Sequence, residues 1–277
     1  MPSDFQDILD KFKVIKELKV GGQKSVFIIQ DPEHGKTVLK IGNFTNPQTL
    51  ERIRREVMIL RSLDSKYYPK VFKFSIIGKD RFLILEEFVE CIPLSECLDS
   101  YTDLKKALEL LYEIIIGLNI IWEKQVVHRD IKPDNILITN SGSPKIIDLG
   151  IARLLDQESI TQTFAPRGPS TPIYAAPEQL QNKKTLIDFR TDQFNLGILL
   201  LQLLLGGEHP FNPAICNSGI NIGENIINGN WCRDRIESNI YKPIKPFVYR
   251  LLGREPYMRY RTADLLISAI NNCLSEV

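Results

Sequence analysis

No sign of charge dominates this sequence. Lys and Arg number 35 against 34 Asp and Glu, a formal charge of +1, so no general attraction to nucleic acid or to an anionic membrane is expected. Any charged ligand must be held by a local site. The five cysteines (Cys91, Cys97, Cys216, Cys232, Cys273) contain no C-x-x-C pair, and their odd number fits neither a zinc site nor a disulfide framework. Free thiols in a reducing compartment are expected. The most apolar stretch, 194–205, falls far short of the roughly 20 residues that span a bilayer. Residues 1–10 are amphipathic and acidic and lack the basic head and apolar run of a signal peptide. These absences point to a cytoplasmic chain, with a membrane anchor on a longer parent protein left open. Internal repeats and low-complexity segments are also lacking.

What is present is ordinary globular composition: 277 residues, 43% hydrophobic and 25% charged, enough for one large domain or two lobes around a cleft. Between 12 and 41, short β-branched runs at 26–29 and 37–41 are separated by turn signals at Gly21-Gly22 and Asp31-Pro32-Glu33-His34-Gly35. They predict antiparallel strands. Leu50, Ile53, Val57, Leu60 and Leu63 follow at three-four spacing, which predicts an amphipathic helix over 49–63. Strands are expected again at 71–77 and 81–88, joined by Gly78-Lys79-Asp80. Beyond Cys91 the texture becomes helical. An apolar-periodic segment covers 102–123 and a buried helix is expected at 194–205, with a hairpin of 135–139 and 144–148 between them. The hydroxyl-rich stretch 156–171 has no periodicity and reads as a loop.

The densest chemical signal is His128-Arg129-Asp130-Ile131-Lys132-Pro133-Asp134-Asn135, followed thirteen residues after Asn135 by Asp148-Leu149-Gly150. Phosphoryl transfer needs a carboxylate for the acceptor hydroxyl and hard oxygen ligands for magnesium rather than covalent help. Asp130 suits the first role, Asn135 and Asp148 suit the second, and Lys132 could sit on the transferring phosphate. Each of these singly would read as a solvated loop residue. Together they resemble the catalytic loop and metal-binding D-F-G motif of eukaryotic-type serine/threonine protein kinases, with Leu149 in place of Phe.

The resemblance implies an α+β, bilobal protein-kinase-like fold over a single domain, 1–277. A small antiparallel N-lobe with one main helix would occupy about 12–90, and a larger, mostly helical C-lobe about 91–275. It implies an ATP- and Mg2+-dependent enzyme acting on protein Ser/Thr hydroxyls. Lys40, ending Thr37-Val38-Leu39-Lys40, would hold the α and β phosphates, with Glu56 as its ion-pair partner and Glu51 as the competitor for that role. The glycine-rich loop departs from the family. Gly21 stands at the second of three glycines, but Lys19 and Lys24 replace the first and third, and Gly22 follows Gly21. Gly21 and Gly22 still permit a phosphate-cradling turn; whether Lys24 assists or hinders it stays open. At the expected hinge, the Glu87 carbonyl and Val89 amide would hold adenine among Val26, Val38 and Leu137. Glu86 would then occupy the gate to the back pocket, unless the hinge register slips by one residue.

Ser170-Thr171-Pro172-Ile173-Tyr174-Ala175-Ala176-Pro177-Glu178 resembles the family's peptide platform, which favours a protein over a small-molecule substrate. By the same resemblance Glu178 would pair with Arg259, and Asp192 would anchor the catalytic-loop backbone. Arg129 would read a phosphate on an activation loop that offers Ser159, Thr161, Thr163 and Ser170. A loop active without modification is the alternative. A nucleotide- or partner-binding pseudokinase is the other class left open, on the strength of the degraded glycine loop.

Overall fold

Contiguous apolar runs stand at 26–29 and 38–39, and a strand turns alternate side chains of such a run to opposite faces, so both faces are apolar. A computed structural model describes residues 5–20, 24–149, 173–237 and 239–277. Strands β1 (Lys13–Val20), β2 (Lys24–Asp31), β3 (Gly35–Asn43), β4 (Val71–Ile77) and β5 (Arg81–Glu87) form an antiparallel sheet in the order β1-β2-β3-β5-β4. Register pairs Val26 with Lys40 and Ile28 with Val38, then Lys40 with Ile84 and Val38 with Glu86. Directly opposed residues share a face, so one face carries Val26, Ile28, Val38, Lys40, Ile84 and Glu86. The other carries Phe27, Ile29, Leu39, Ile41, Leu83 and Leu85, buried in one cluster with Phe5, Ile8 and Leu9.

That second face is thus covered by the N-terminal segment. The helix α1 (Gln6–Leu9) is a single turn and could not persist in isolation, because nucleation fixes several dihedrals for one hydrogen bond. Packing of Phe5, Ile8 and Leu9 holds it. The exposed Asp7–Arg81 pair, at 2.7 and 3.0 Å, adds little by comparison, since exposed pairs are screened by water. Ile8→Ala is therefore expected to cost about 2 kcal/mol in urea unfolding, while Asp7→Asn should leave the midpoint nearly unchanged. The reverse order would assign the segment's attachment to charge rather than burial.

The β2–β3 turn is organised by Asp31, whose Oδ1 accepts from the amides of Glu33 (3.0 Å) and His34 (2.9 Å). Gly35 closes it at φ +71°, where a β-carbon would be strained. The strand β1 was not separately legible in the sequence. It lies at the sheet edge with Val14, Ile15 and Leu18 exposed, so no buried alternation marks it. The helix α2 (Pro47–Arg61) starts two residues earlier than its apolar spacing suggests. Pro47 takes the first helical position, and Asn46 Oδ1 caps the Thr49 amide at 2.8 Å. It buries Ile53, Val57 and Leu60 and packs along β4.

The described residues divide into two compact units, one running to Glu90 and including Leu149, the other comprising 91–148 and 173–277. The second unit is mostly helical. It contains α3 (Leu104–Trp122), α4 (Pro177–Leu180), α5 (Phe189–Leu204), α6 (Pro213–Cys216), α7 (Ile222–Asn228), α8 (Arg233–Ile236), α9 (Lys245–Leu251) and α10 (Ala263–Ser275). A small sheet, β6 (Cys91–Pro93), β7 (Ile136–Thr139) and β8 (Pro144–Ile146), completes it. Both α5 and α10 pack on α3.

The helix α5 is the core of this unit, buried along nearly its whole length even at Thr191, Asp192, Gln193 and Asn195. Such burial is costly unless the polar groups find partners, and most of them do. Gln193 exchanges two 2.9 Å bonds with the Tyr260 backbone, and Thr191 donates to Glu178 at 2.8 Å. At Gly197 a β-carbon would stand 2.8 Å from Leu252 Cδ2 and 3.0 Å from Leu251 Cβ; glycine here permits the close approach of α9. Among the described residues no helix is long and apolar enough to cross a membrane, and all five cysteines are free thiols.

Candidate active site

The segment from Val126 to Asn135 has little regular structure of its own, so side chains must fix its path. Asp192, in the first turn of α5 and fully buried, does most of this. Its Oδ2 accepts from Trp122 Nε1 (2.8 Å) and the His128 amide (2.9 Å), and its Oδ1 accepts from the Arg129 amide (2.7 Å). Burial pushes this carboxyl pKa up, opposed by His128 and by the three donors. All three partners donate, so the geometry serves the carboxylate. The expected anchor is in place, and it holds Arg129 at φ +66°, a left-handed conformation costing a non-glycine residue about 1–2 kcal/mol.

His128 ties the same loop to the end of the β7–β8 hairpin. Its Nε2 donates to the Ile147 carbonyl at 3.0 Å, and its Nδ1 accepts from the Asp130 amide at 3.3 Å. Complete burial pushes the imidazole down, against upward pulls from Asp192 and Asp130. A neutral ring protonated at Nε2 satisfies both contacts. The Ile147 amide in turn donates to the Asn135 carbonyl at 2.9 Å. The strand β8 therefore ends at Ile146, short of the predicted 148, and Asp148 is presented at φ +60°.

Asp130 Oδ2 lies 3.1 Å from Lys132 Nζ and 3.0 Å from Asn135 Nδ2, which also donates to the Asp130 carbonyl at 2.7 Å. Lys132 and Asp130 remain partly exposed while Asn135 is buried. Two of the sequence-predicted residues, Lys132 and Asn135, thus converge on the carboxylate of a third, Asp130, and Asp148 is tethered to them through Ile147. Leu137 sits on β7 opposite Lys145 and Pro93, half-buried.

In the other unit, Lys40, Val26 and Val38 share one sheet face, as the register requires. Lys40 is buried with Nζ 2.6 Å from Glu86 Oε2. Glu51 is exposed and reaches Arg54 at 3.5 Å, a surface pair. Glu56 lies on α2, but its side chain falls outside the described residues, as do those of Lys19 and Lys24. Gly21 and Gly22 also lie outside them, with Gly150, Ser159, Thr161, Thr163, Ser170, Thr171 and Pro172. Glu87 ends β5, exchanging a 2.8 Å amide bond to the Lys70 carbonyl for a 3.1 Å bond from the Lys70 amide to its own carboxylate. Val89 follows, half-buried.

The described end of the platform is bound to this machinery by a residue the sequence did not single out. Gln179 Oε1 accepts from the Ala176 amide at 2.9 Å while its Nε2 donates to the Arg129 carbonyl at 3.0 Å. Its only signal is its place directly after Glu178. Glu178 itself receives Arg259 bidentately at 2.7 and 2.9 Å, both side chains buried. Tyr174 donates to Gln202 at 2.8 Å and lies edge-on to the buried His209, ring centroids 5.4 Å apart.

Burial pushes the His209 imidazole down to about 4, against a smaller upward pull from the Ile173 backbone. In the unfolded chain the group titrates near 6.5 (roughly). Between roughly pH 6.5 and 4 the unfolded state takes up a proton that the folded state refuses, so stability falls as pH falls, by up to about 3 kcal/mol. His209→Gln should flatten the acid side of the melting-temperature curve between about pH 7 and 4.5. An unchanged slope would place that sensitivity elsewhere.

Comparison with known proteins agrees with this geometry. The model of the protein kinase domain family matches residues 12–269. Serine/threonine-protein kinase PrkC of Bacillus subtilis is 29% identical over 266 residues, covering 93% of this chain and 39% of that protein. Probable serine/threonine-protein kinase PknB of Lactococcus lactis is 30% identical over 212 residues, 73% of this chain and 32% of that protein. Serine/threonine-protein kinase pkn2 of Myxococcus xanthus is 30% identical over 275 residues, 95% of this chain and 32% of that protein. The chain thus spans between 32% and 39% of the length of these relatives. With a five-stranded antiparallel N-lobe, a helical C-lobe and a family match over most of its length, the chain belongs to the protein kinase domain family.

Proposed function

We propose that this chain is a single catalytic domain, with lobes at about 12–90 and 91–275, that transfers the γ-phosphoryl group of ATP to serine or threonine hydroxyls of proteins, as a non-specific serine/threonine protein kinase. The convergence of Lys132 and Asn135 on the Asp130 carboxylate carries the reading. Bound magnesium and ATP supply the phosphoryl group and the cation that offsets its developing charge. Asp130 receives the proton of the acceptor hydroxyl, and Lys132 keeps an ammonium beside that carboxylate. Asn135, with its nitrogen committed to Asp130, has its Oδ1 left as an acceptor, and it and the Asp148 carboxylate would hold the cation. One amide and one carboxylate oxygen suit magnesium, which keeps part of its shell for water and phosphate.

In this reading Lys40 holds the α and β phosphates, with Glu56 as an ion partner and Gly21 and Gly22 in the phosphate loop. Val26, Val38 and Leu137 line the adenine, whose polar edge meets the Glu87 carbonyl and Val89 amide. Free thiols at all five cysteines fit a cytoplasmic setting. Purified protein given ATP, magnesium and a generic basic protein should transfer phosphate to that protein or to itself. No transfer by a folded protein would favour a binding module instead.

Arg129 supports control by phosphorylation. Its Nε is buried without a hydrogen-bond partner among the described residues, and a guanidinium is suited to bidentate phosphate contact. Phosphorylation of Thr161 or Thr163, by the kinase itself, is the proposed activating event. Mass spectrometry after ATP treatment should find phosphate there, and replacing both threonines by Ala should lower activity at least about tenfold. Full activity in that double variant would favour a loop that needs no modification.

A further inference from the structure

Glu86 is an unusual residue for its place. It stands on β5 among Phe82, Leu83, Ile84 and Leu85, all buried, and a carboxylate there is costly unless it is paired. Sheet parity decides which way it points. Glu86 is opposite Val38, so it shares the Lys40 face and sits diagonally across from Lys40, within reach of a long side chain. A slip of one residue would turn it to the face packed by Phe5 and Ile8 instead. The contact is short, 2.6 Å from Oε2 to Nζ, with only 8% and 7% of the two side chains exposed. Such a charge-assisted bond, little screened by water, fixes an otherwise four-torsion side chain.

We infer that Glu86 is a positioning residue: its carboxylate anchors the Lys40 ammonium on the inner sheet face before nucleotide arrives, so that the phosphates meet a charge already in place. This rests on the reading of Lys40 as the phosphate-binding lysine. The anchor acts through Lys40 and makes no demand on the catalytic loop. An ammonium has three donors, so a bond to Glu86 leaves the group able to meet further oxygens at the same time. Pre-organisation of this kind lowers the ordering cost of binding. Its loss should therefore raise the KM for ATP more than it lowers kcat.

The test compares wild type, Glu86→Gln and Glu86→Met, first without nucleotide. Lys40 acylation by limiting acetic anhydride is followed by peptide mass spectrometry, with the exposed lysines as internal standards. Lys40 should be slow in wild type, intermediate in Glu86→Gln, which keeps an acceptor oxygen, and about tenfold faster in Glu86→Met. The KM for ATP should rise in the same order, about tenfold in Glu86→Met, with kcat changed less than about threefold. Equal Lys40 labelling in wild type and Glu86→Gln, or a loss confined to kcat, would overturn the anchor. If Glu86→Met does not fold, the Gln variant alone decides by the same readouts. A wild type that protects Lys40 yet transfers no phosphate would instead defeat the kinase reading and leave the anchor standing.

Discussion

Asp130→Asn should lower phosphoryl transfer by about 10²–10⁴-fold, the range that a positioned general base contributes. The substitution is nearly isosteric, and an amide oxygen can still accept the bond that Asn135 Nδ2 now gives to Oδ2. Folding should survive, so the melting temperature should stay within about 2 °C of wild type while turnover collapses. Asp148 allows a parallel control. It sits at φ +60°, a conformation that Asn tolerates better than Ala. Asp148→Asn therefore removes the carboxylate charge with the least backbone disturbance, and should abolish magnesium-dependent transfer without the loss of stability expected of Asp148→Ala. Steady-state transfer to a basic protein, alongside thermal melting, reads both. An Asp130→Asn protein with near-normal turnover would remove the proposed base from the mechanism.

The second large effect concerns stability. Arg259 is wholly buried and its donors are fully engaged: Glu178 bidentately, the Gly253 carbonyl at 2.9 Å, the Arg190 carbonyl at 2.9 Å and the Arg254 carbonyl at 3.4 Å. Its guanidinium carbon also lies 4.9 Å from the Phe194 ring centroid. Arg259→Ala leaves the Glu178 carboxylate buried with only Thr191 as a donor among the described residues. The loss should be about 3–5 kcal/mol, the range for breaking a buried pair from one side. Because desolvation of both ions opposes the pair, Arg259→Met combined with Glu178→Leu should recover part of that loss. Urea unfolding of the two singles and the double closes the cycle. Strict additivity would mean that the pair is not coupled, against its geometry.

The C-lobe holds these two sites in different ways. Asp130 is held through the loop backbone: its own amide donates to His128 Nδ1, the preceding His128 and Arg129 amides donate to Asp192, and the Ile147 amide donates to the Asn135 carbonyl. Its carboxylate takes the Asn135 amide and the Lys132 ammonium, contacts that an asparagine oxygen can still accept, so Asn can stand there. Glu178 and Arg259 carry no chemistry but join the platform to the start of α5 and the turn before α10. Removing either leaves a charge in a place water does not reach.

Much of this was legible in the sequence because it depends on local order. Short β-branched runs between turn signals located β2 to β5, and three-four apolar spacing located α2 and α3, since these elements bury much of their apolar side chain. The run from His128 to Asn135 and the distant Asp148 named a chemistry, since oxygen donors and one carboxylate at that spacing serve phosphoryl transfer. The length of α5 was underestimated. Its first turn is polar, and only burial against Glu178, Tyr260 and the catalytic loop shows why Thr191, Asp192 and Gln193 belong inside. Strand β1 was expected after residue 11 only without bounds of its own, for the opposite reason, since an exposed edge leaves no buried run to read.

What the order of residues determined by itself, then, is membership in the kinase family and, through that resemblance, Asp130, Lys132, Asn135 and Asp148 as the residues to propose for its chemistry, because spacing along the chain limits which groups a loop can present together. What only the tertiary structure decided is which distant residues answer them. Asp192 lies 64 positions from His128 and Glu178 lies 81 from Arg259. The sequence could propose these pairs only through a family resemblance; the folded chain brings them to hydrogen-bond distance. The partnership of Lys40 with Glu86 was foreseen by neither spacing nor resemblance. It arises from strand register, which sets two side chains on the same face of a sheet and is fixed only when the strands have paired.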